Sequence, residues 1–143
     1  MAELEKGDLQ GATERVDGLL QRAPDFAAAR RERAWIYLRS GDAAAAVEAM
    51  NTALAHAPAD GTGHYEQGLL FLEIGRPLEA LGAFNAALER NPSLVDAHLG
   101  AAQVHYQRSE YQHARNHWER CLDLSPGHPG ASQSLAVLDG EGR

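Results

Sequence analysis

Gly75–Pro92 reads GRPLEALGAFNAALERNP, and its landmarks recur up and down the chain at a single spacing. Pro24, Pro58, Pro92 and Pro126 are each 34 residues apart. The same step connects Gly7, Gly41, Gly75 and Ser109, then Ala12, Ala46, Ala80 and Ala114, then Leu20, Leu54, Leu88 and Leu122. Ala34, Gly68, Ala102 and Ala136 make a fifth series. Self-similarity at a fixed period marks a chain built from stacked units, none of which buries its apolar face alone.

A 34-residue period with small residues at fixed points and a closing proline resembles the tetratricopeptide repeat, and the resemblance covers nearly the whole chain. It implies an all-α fold: a right-handed superhelical solenoid of antiparallel helix pairs, each with a first helix A and a second helix B. On this reading residues 1–143 are one domain. Residues 1–26 are a partial repeat, mainly helix B; 27–60, 61–94 and 95–128 are three full repeats; 129–143 are a capping helix and tail. The class of function it implies is protein binding.

Composition bounds the rest. At 143 residues the chain is about one domain long, and its 44% apolar content suffices for a core. The net charge of −7, with Lys6 the only lysine, argues against a nucleic-acid partner, because phosphate neutralisation needs clustered lysine and arginine. Cys121 is alone, which excludes an intrachain disulfide. MAELEKGD carries charge where a secretion signal needs an apolar run, and no segment approaches a membrane span, so membrane insertion is not expected and the chain reads as soluble and cytoplasmic.

In chain order, residues 1–6 read as the last turn of a helix whose beginning is missing. Either a lone capping helix opens the chain or the chain is cut from a longer array, with the cut preferred. Gly7 is expected to break that turn and Asp8 to cap a B helix running to about Arg22, which Ala23 and Pro24 stop. The first full repeat places helix A over Phe26–Arg39 and helix B over Asp42–Ala57, joined at Ser40 and Gly41. Pro77 is tolerated in the first turn of the next B helix. Ser109 stands where the turn glycine is due and is read as a neutral change that still caps the following helix. After Pro126, Leu135, Val137 and Leu138 suggest a final A helix covering the third repeat, with Ser132, Gln133, Ser134 and Asp139 facing water and GEGR frayed.

Each landmark has a physical reading. A small residue at Ala34, Gly68 or Ala102 lets helix A approach Ala46, Ala80 or Ala114 closely. Larger residues fill the space beyond: Tyr37, Phe71 and His105 from A helices, and Val16, Met50, Phe84 and Trp118 from B helices. The chain departs from the family at its first aromatic landmark, often tryptophan, where Arg30, His64, His98 and Ser132 stand.

An enzyme is not supported. There is no phosphate loop of the GxxxxGK[ST] type, no GxSxG elbow and no CxxC pair, so no catalytic residue and no cofactor is assigned. His113 and His117 share a helix face in HARNH, but there is no HExxH glutamate and no third ligand beyond nearby Glu110, so no metal site is assigned. His64, His98 and His105 read as packing residues, His56 and His128 as solvated. Cys121 falls one period after Ala87 and reads as a small core thiol.

In the family the A helices line a concave groove. The resemblance places there Ala28, Arg31, Trp35, Leu38 and Arg39, then Thr62, Tyr65, Leu69, Leu72 and Glu73, then Asp96, Leu99, Gln103, Tyr106 and Gln107. The groove residues singled out for a partner are Arg31, Trp35, Arg39, Tyr65, Leu69, Glu73, Asp96, Leu99, Gln103 and Tyr106; tryptophan, tyrosine and arginine are the commonest anchors of interfaces. Chaperone-binding members clamp a peptide carboxylate with Lys, Asn, Asn, Lys and Arg. The matching positions here are Arg31, Trp35, Glu66, Asp96 and Gly100, of which only Arg31 is compatible. The expected role is therefore an adaptor that binds a peptide segment, a helix or a folded protein. Alternatives are self-association into a homo-oligomer through open solenoid ends, a regulatory fragment of a larger protein and, behind these, a metal protein or enzyme.

Overall fold

The computed structural model describes residues 6–56 and 61–143. Among them are eight α-helices and no strand: α1 (Lys6–Arg22), α2 (Ala27–Arg39), α3 (Ala43–His56), α4 (Thr62–Ile74), α5 (Pro77–Arg90), α6 (Val95–Gln107), α7 (Tyr111–Leu124) and α8 (Pro129–Gly140). None is long and apolar enough to cross a membrane. The described residues are all-α, and within each unit short turns join one helix to the next. Gly41 and Gly75 turn the chain at φ of +89° and +84°, a conformation that an L side chain resists. The chain divides into two compact units, Met1–Ala59 and Asp60–Arg143.

In the first unit, α2 packs on α3 and α1 on α2. Ala34 and Ala46 are fully buried, as are Val16, Met50 and Ala53. Asp42 caps α3, accepting a hydrogen bond from Ala45 N at 3.0 Å. The ion pairs Arg15–Glu32 and Arg33–Asp17 join α1 to α2 at the surface, where such pairs contribute about 0–1 kcal/mol.

Two expectations fail in this unit. Gly7 and Asp8 do not separate two helices but lie within α1; an interior glycine costs only about 1 kcal/mol relative to alanine, too little to end a helix unaided. Residues 1–5, read as the turn before that break, and Ala57, read as the end of α3, lie outside the described residues. Tyr37 is 37% exposed and fills no core. It walls an open cleft of about 300 Å³ in which Ala45 and Ala49 are the facing apolar groups, and alanines are too short to close the space.

In the second unit, α4 to α8 pack in sequence, and α4 also touches α6. Phe84 is fully buried, with Gly68 of α4 and Gly100 of α6 against its ring. A second core gathers Ala102, Ala114, Trp118, Cys121, Ala131 and Leu138. α8 closes that core through Ala131 and Leu138, leaving Ser132, Gln133 and Asp139 exposed. Pro77 occupies the first turn of α5.

Three details here also differ from expectation. Ser109 does not cap α7: Glu110 precedes the helix and no side chain caps it. Ser109 instead takes φ of +62°, the glycine conformation without glycine, which costs an L residue about 1–2 kcal/mol. His128 is more than solvated, because its Nδ1 accepts a hydrogen bond from Ala131 N at 3.3 Å and caps α8. The tail is tied down: Glu141 accepts from the Tyr106 hydroxyl at 3.1 Å, the Arg143 carbonyl accepts from Arg115 at 2.7 Å, and the Arg143 guanidinium lies over the Tyr111 ring.

Candidate partner-binding site

Residues four apart on a helix share a face, which is why Tyr65, Leu69 and Glu73 form one row along α4. Asp96, Leu99, Gln103 and Tyr106 form the matching row along α6. Tyr65 and Leu69 are half-buried and Glu73 is exposed. The Tyr65 ring lies 5.9 Å from Phe84, and burial, followed by the charge of Asp96, raises its hydroxyl pKa above the ordinary value. The Asp96 carboxylate of α6 is thus near enough to the Tyr65 hydroxyl of α4 to oppose its ionisation.

Towards the far end of α6 the predicted residues turn partly to structural work. Leu99 and Tyr106 pack against the second core. The Tyr106 ring stands 5.6 Å from Tyr111 and 5.8 Å from Trp118. Its hydroxyl bond to Glu141, with a smaller contribution from burial, raises its pKa. Gln103 and Asp96 remain exposed.

In the first unit Arg31 and Trp35 are half-buried and Arg39 is exposed. Trp35 and Arg39 wall a cleft of about 420 Å³, completed by Glu32 and Ile36 of α2 and by Asp8, Gly11, Ala12 and Arg15 of α1. The α1 wall goes unread in the sequence because the family rule assigns the groove to A helices, and the sequence reading makes α1 a B helix. The signal was present in Ala12, whose period mates all sit against a neighbouring helix. Arg31 does not line this cleft.

Cys121 is fully buried, its thiol donates weakly to the Val95 carbonyl at 3.8 Å, and burial pushes its pKa up to about 11. His113 and His117 meet His98 and His105 across the α6–α7 pair, ring against ring. Among the described residues no group of three or more His, Cys, Asp or Glu is placed to hold a metal ion.

Residues 3–65 and 65–129 each match a family described as Tetratricopeptide repeat. Among solved structures, MamA is similar at 22% identity over 96% of this chain and 81% of its own, with a TM-score of 0.79. The first such domain of human RPAP3 is similar at 18% identity over 82% of this chain and 93% of its own, with a TM-score of 0.71. A tetratricopeptide repeat protein from Parabacteroides merdae is similar at 23% identity over 94% of this chain and 54% of its own, with a TM-score of 0.80. At these identities the likeness is one of fold. No curated protein sequence matches the chain.

Proposed function

Because the chain belongs to the tetratricopeptide repeat family, whose all-α solenoid it shares, we propose that it is a protein-interaction adaptor and carries out no catalysis. Its A-helix faces bind a segment of another protein. The observation that carries this reading is Trp35, a half-buried indole walling an open cleft of about 420 Å³ between flanking arginines and carboxylates. Such a site offers an aromatic anchor with charges at its rim, the pattern of an interface hot spot. Tyr65 and Leu69, beside Asp96, supply a second apolar contact with an acidic edge.

The ligand is an apolar segment or amphipathic helix, with no terminal carboxylate required. The first domain of Spaghetti (RPAP3) is bound to the HSP90 peptide SRMEEVD. In this chain Glu66 and Asp96 stand where the carboxylate clamp needs neutral or basic donors, and they repel such a peptide.

The test is capture of partners by the wild-type chain and by a Trp35→Ala, Tyr65→Ala double variant of unchanged circular dichroism. A protein retained by the first and lost by the second supports the reading. Equal retention by both removes these faces as the site. SRMEEVD itself is expected to give no saturable binding.

A further inference from the structure

Four of the seven histidines meet within the α6–α7 pair. His98 and His105 of α6 are buried, His117 of α7 is half-buried, and His113 is exposed at the edge. His98 Nδ1 and His117 Nδ1 are 3.0 Å apart, and His98 Nε2 is 2.9 Å from the Pro92 carbonyl. The His105 ring stacks on His117 at 5.6 Å and 15°, and lies 5.0 Å from His113.

The hydrogen bonds fix the protons. A carbonyl only accepts, so His98 Nε2 carries a hydrogen. In the neutral ring His98 Nδ1 is then bare and must accept from His117 Nδ1–H. One added proton can be shared, because the Nδ1–H of either charged ring can still donate to the bare Nδ1 of the other. A proton on each ring sets N–H against N–H and breaks the bond. His105 Nδ1 is buried without a hydrogen-bond partner, 3.6 Å from Glu110 Oε2.

We propose that these four imidazoles form an acid-operated latch between α6 and α7: neutral, they bond and stack to hold the pair together; protonated, they repel one another and loosen it. The latch is independent of the partner-binding reading.

The charged groups around the cluster support the direction. His117 faces His98 and His105 from α6 and His113 from its own helix; burial first, then these three neighbours, push its pKa down to about 4. His105 is lowered chiefly by burial, with His113 and Arg108 adding to the effect and Glu110 opposing it. α4, α5 and α8, also packed on this pair, add no charged group to either ring among the described residues. An unfolded histidine titrates at about 6.5, so below that value the unfolded chain binds more protons than the folded one. The latch is therefore fully formed above about pH 6.5 and is lost as pH falls through the interval down to about 4. Much of that interval lies above the range in which most carboxylates protonate, which separates the latch from general acid unfolding.

The experiment is an NMR titration of the wild-type chain from pH 7 to 4, reading histidine ring nitrogens together with amide exchange. At pH 7, His98 should carry its hydrogen on Nε2 and His117 on Nδ1. By pH 5, amide protection in α6 and α7 should fall about tenfold further than in α4 and α5, a tenfold change being one pKa unit of linkage. In His117→Gln, whose amide can still donate to His98, that differential loss should shrink. The opposite tautomers, or a His117 titrating at the ordinary value with equal protection changes in both helix pairs, would overturn the proposal. The ring signals come from the wild-type chain, so a variant that fails to fold leaves the test decisive.

Discussion

A Cβ placed on Gly100 would stand 2.6 Å from Phe84 Cζ, so the α6 backbone rests directly on the α5 ring. A Cβ on Gly68 of α4 would stand 2.5 Å from Cε1 of the same ring. Alanine at either position gains about 1 kcal/mol of helix propensity but must displace a fully buried phenyl ring, and overpacking costs about 1–3 kcal/mol. Gly100→Ala should therefore destabilise the second unit by up to about 2 kcal/mol net in urea unfolding. Adding Phe84→Leu to it should cost less than the two single changes summed, since the smaller side chain makes room.

Ser109 holds φ of +62° at the α6–α7 turn. Ser109→Gly removes about 1–2 kcal/mol of steric cost while adding some unfolded-state freedom. A net gain of about 0.5–1 kcal/mol is expected, read as a higher thermal midpoint. An unchanged or lower midpoint would show that the Tyr111 hydroxyl contact to Ser109 Oγ, at 3.3 Å, outweighs the strain.

Arg115 joins α7 to the chain end, donating to Asp139 at 2.8 Å and to the Arg143 carbonyl at 2.7 Å. Arg115→Ala should raise hydrogen exchange in α8 before any other helix of the second unit and cost about 1 kcal/mol. Exchange rising equally in α4 and α5 would deny α8 a local opening of its own.

Cys121 should be inert in the folded chain. A thiol moved from 9.0 to about 11 has about 100-fold less thiolate at neutral pH, and thiolate is the species that reacts. Alkylation by iodoacetamide should therefore be slower than in urea by at least that factor. Comparable rates in both would remove Cys121 from the core.

The period made the helix pairs legible because close helix approach needs small residues at fixed points, and Ala34, Ala46, Gly68 and Ala80 announce themselves by recurring. What the period could not reveal is whatever occurs once. Gly100 has Glu32 and Glu66 as its mates and so carries no repeat signal, although Phe84 depends on it. The His98–His117 bond belongs to the third repeat alone, since His117 replaces the alanines Ala49 and Ala83. Of the residues read as groove-facing, Tyr65 stands within the electrostatic reach of Asp96, whereas Tyr106 is drawn into internal contacts and the cleft beside Trp35 owes half its wall to α1.

The missing aromatic landmark has an unexpected substitute. Arg30 Nε donates to the Pro24 carbonyl at 2.8 Å, and His98 Nε2 donates to the Pro92 carbonyl at 2.9 Å, each reaching back six residues. These are the same contact made by two unlike side chains two periods apart, and a tryptophan indole would also present one N–H. What these two repeats share there is a flat N–H donor that tethers the proline carbonyl of the preceding loop. Repeats of this kind, where a guanidinium or an imidazole stands in for the indole, would escape an inventory that counts tryptophans, and would be recovered by one that counts donors six residues beyond a proline.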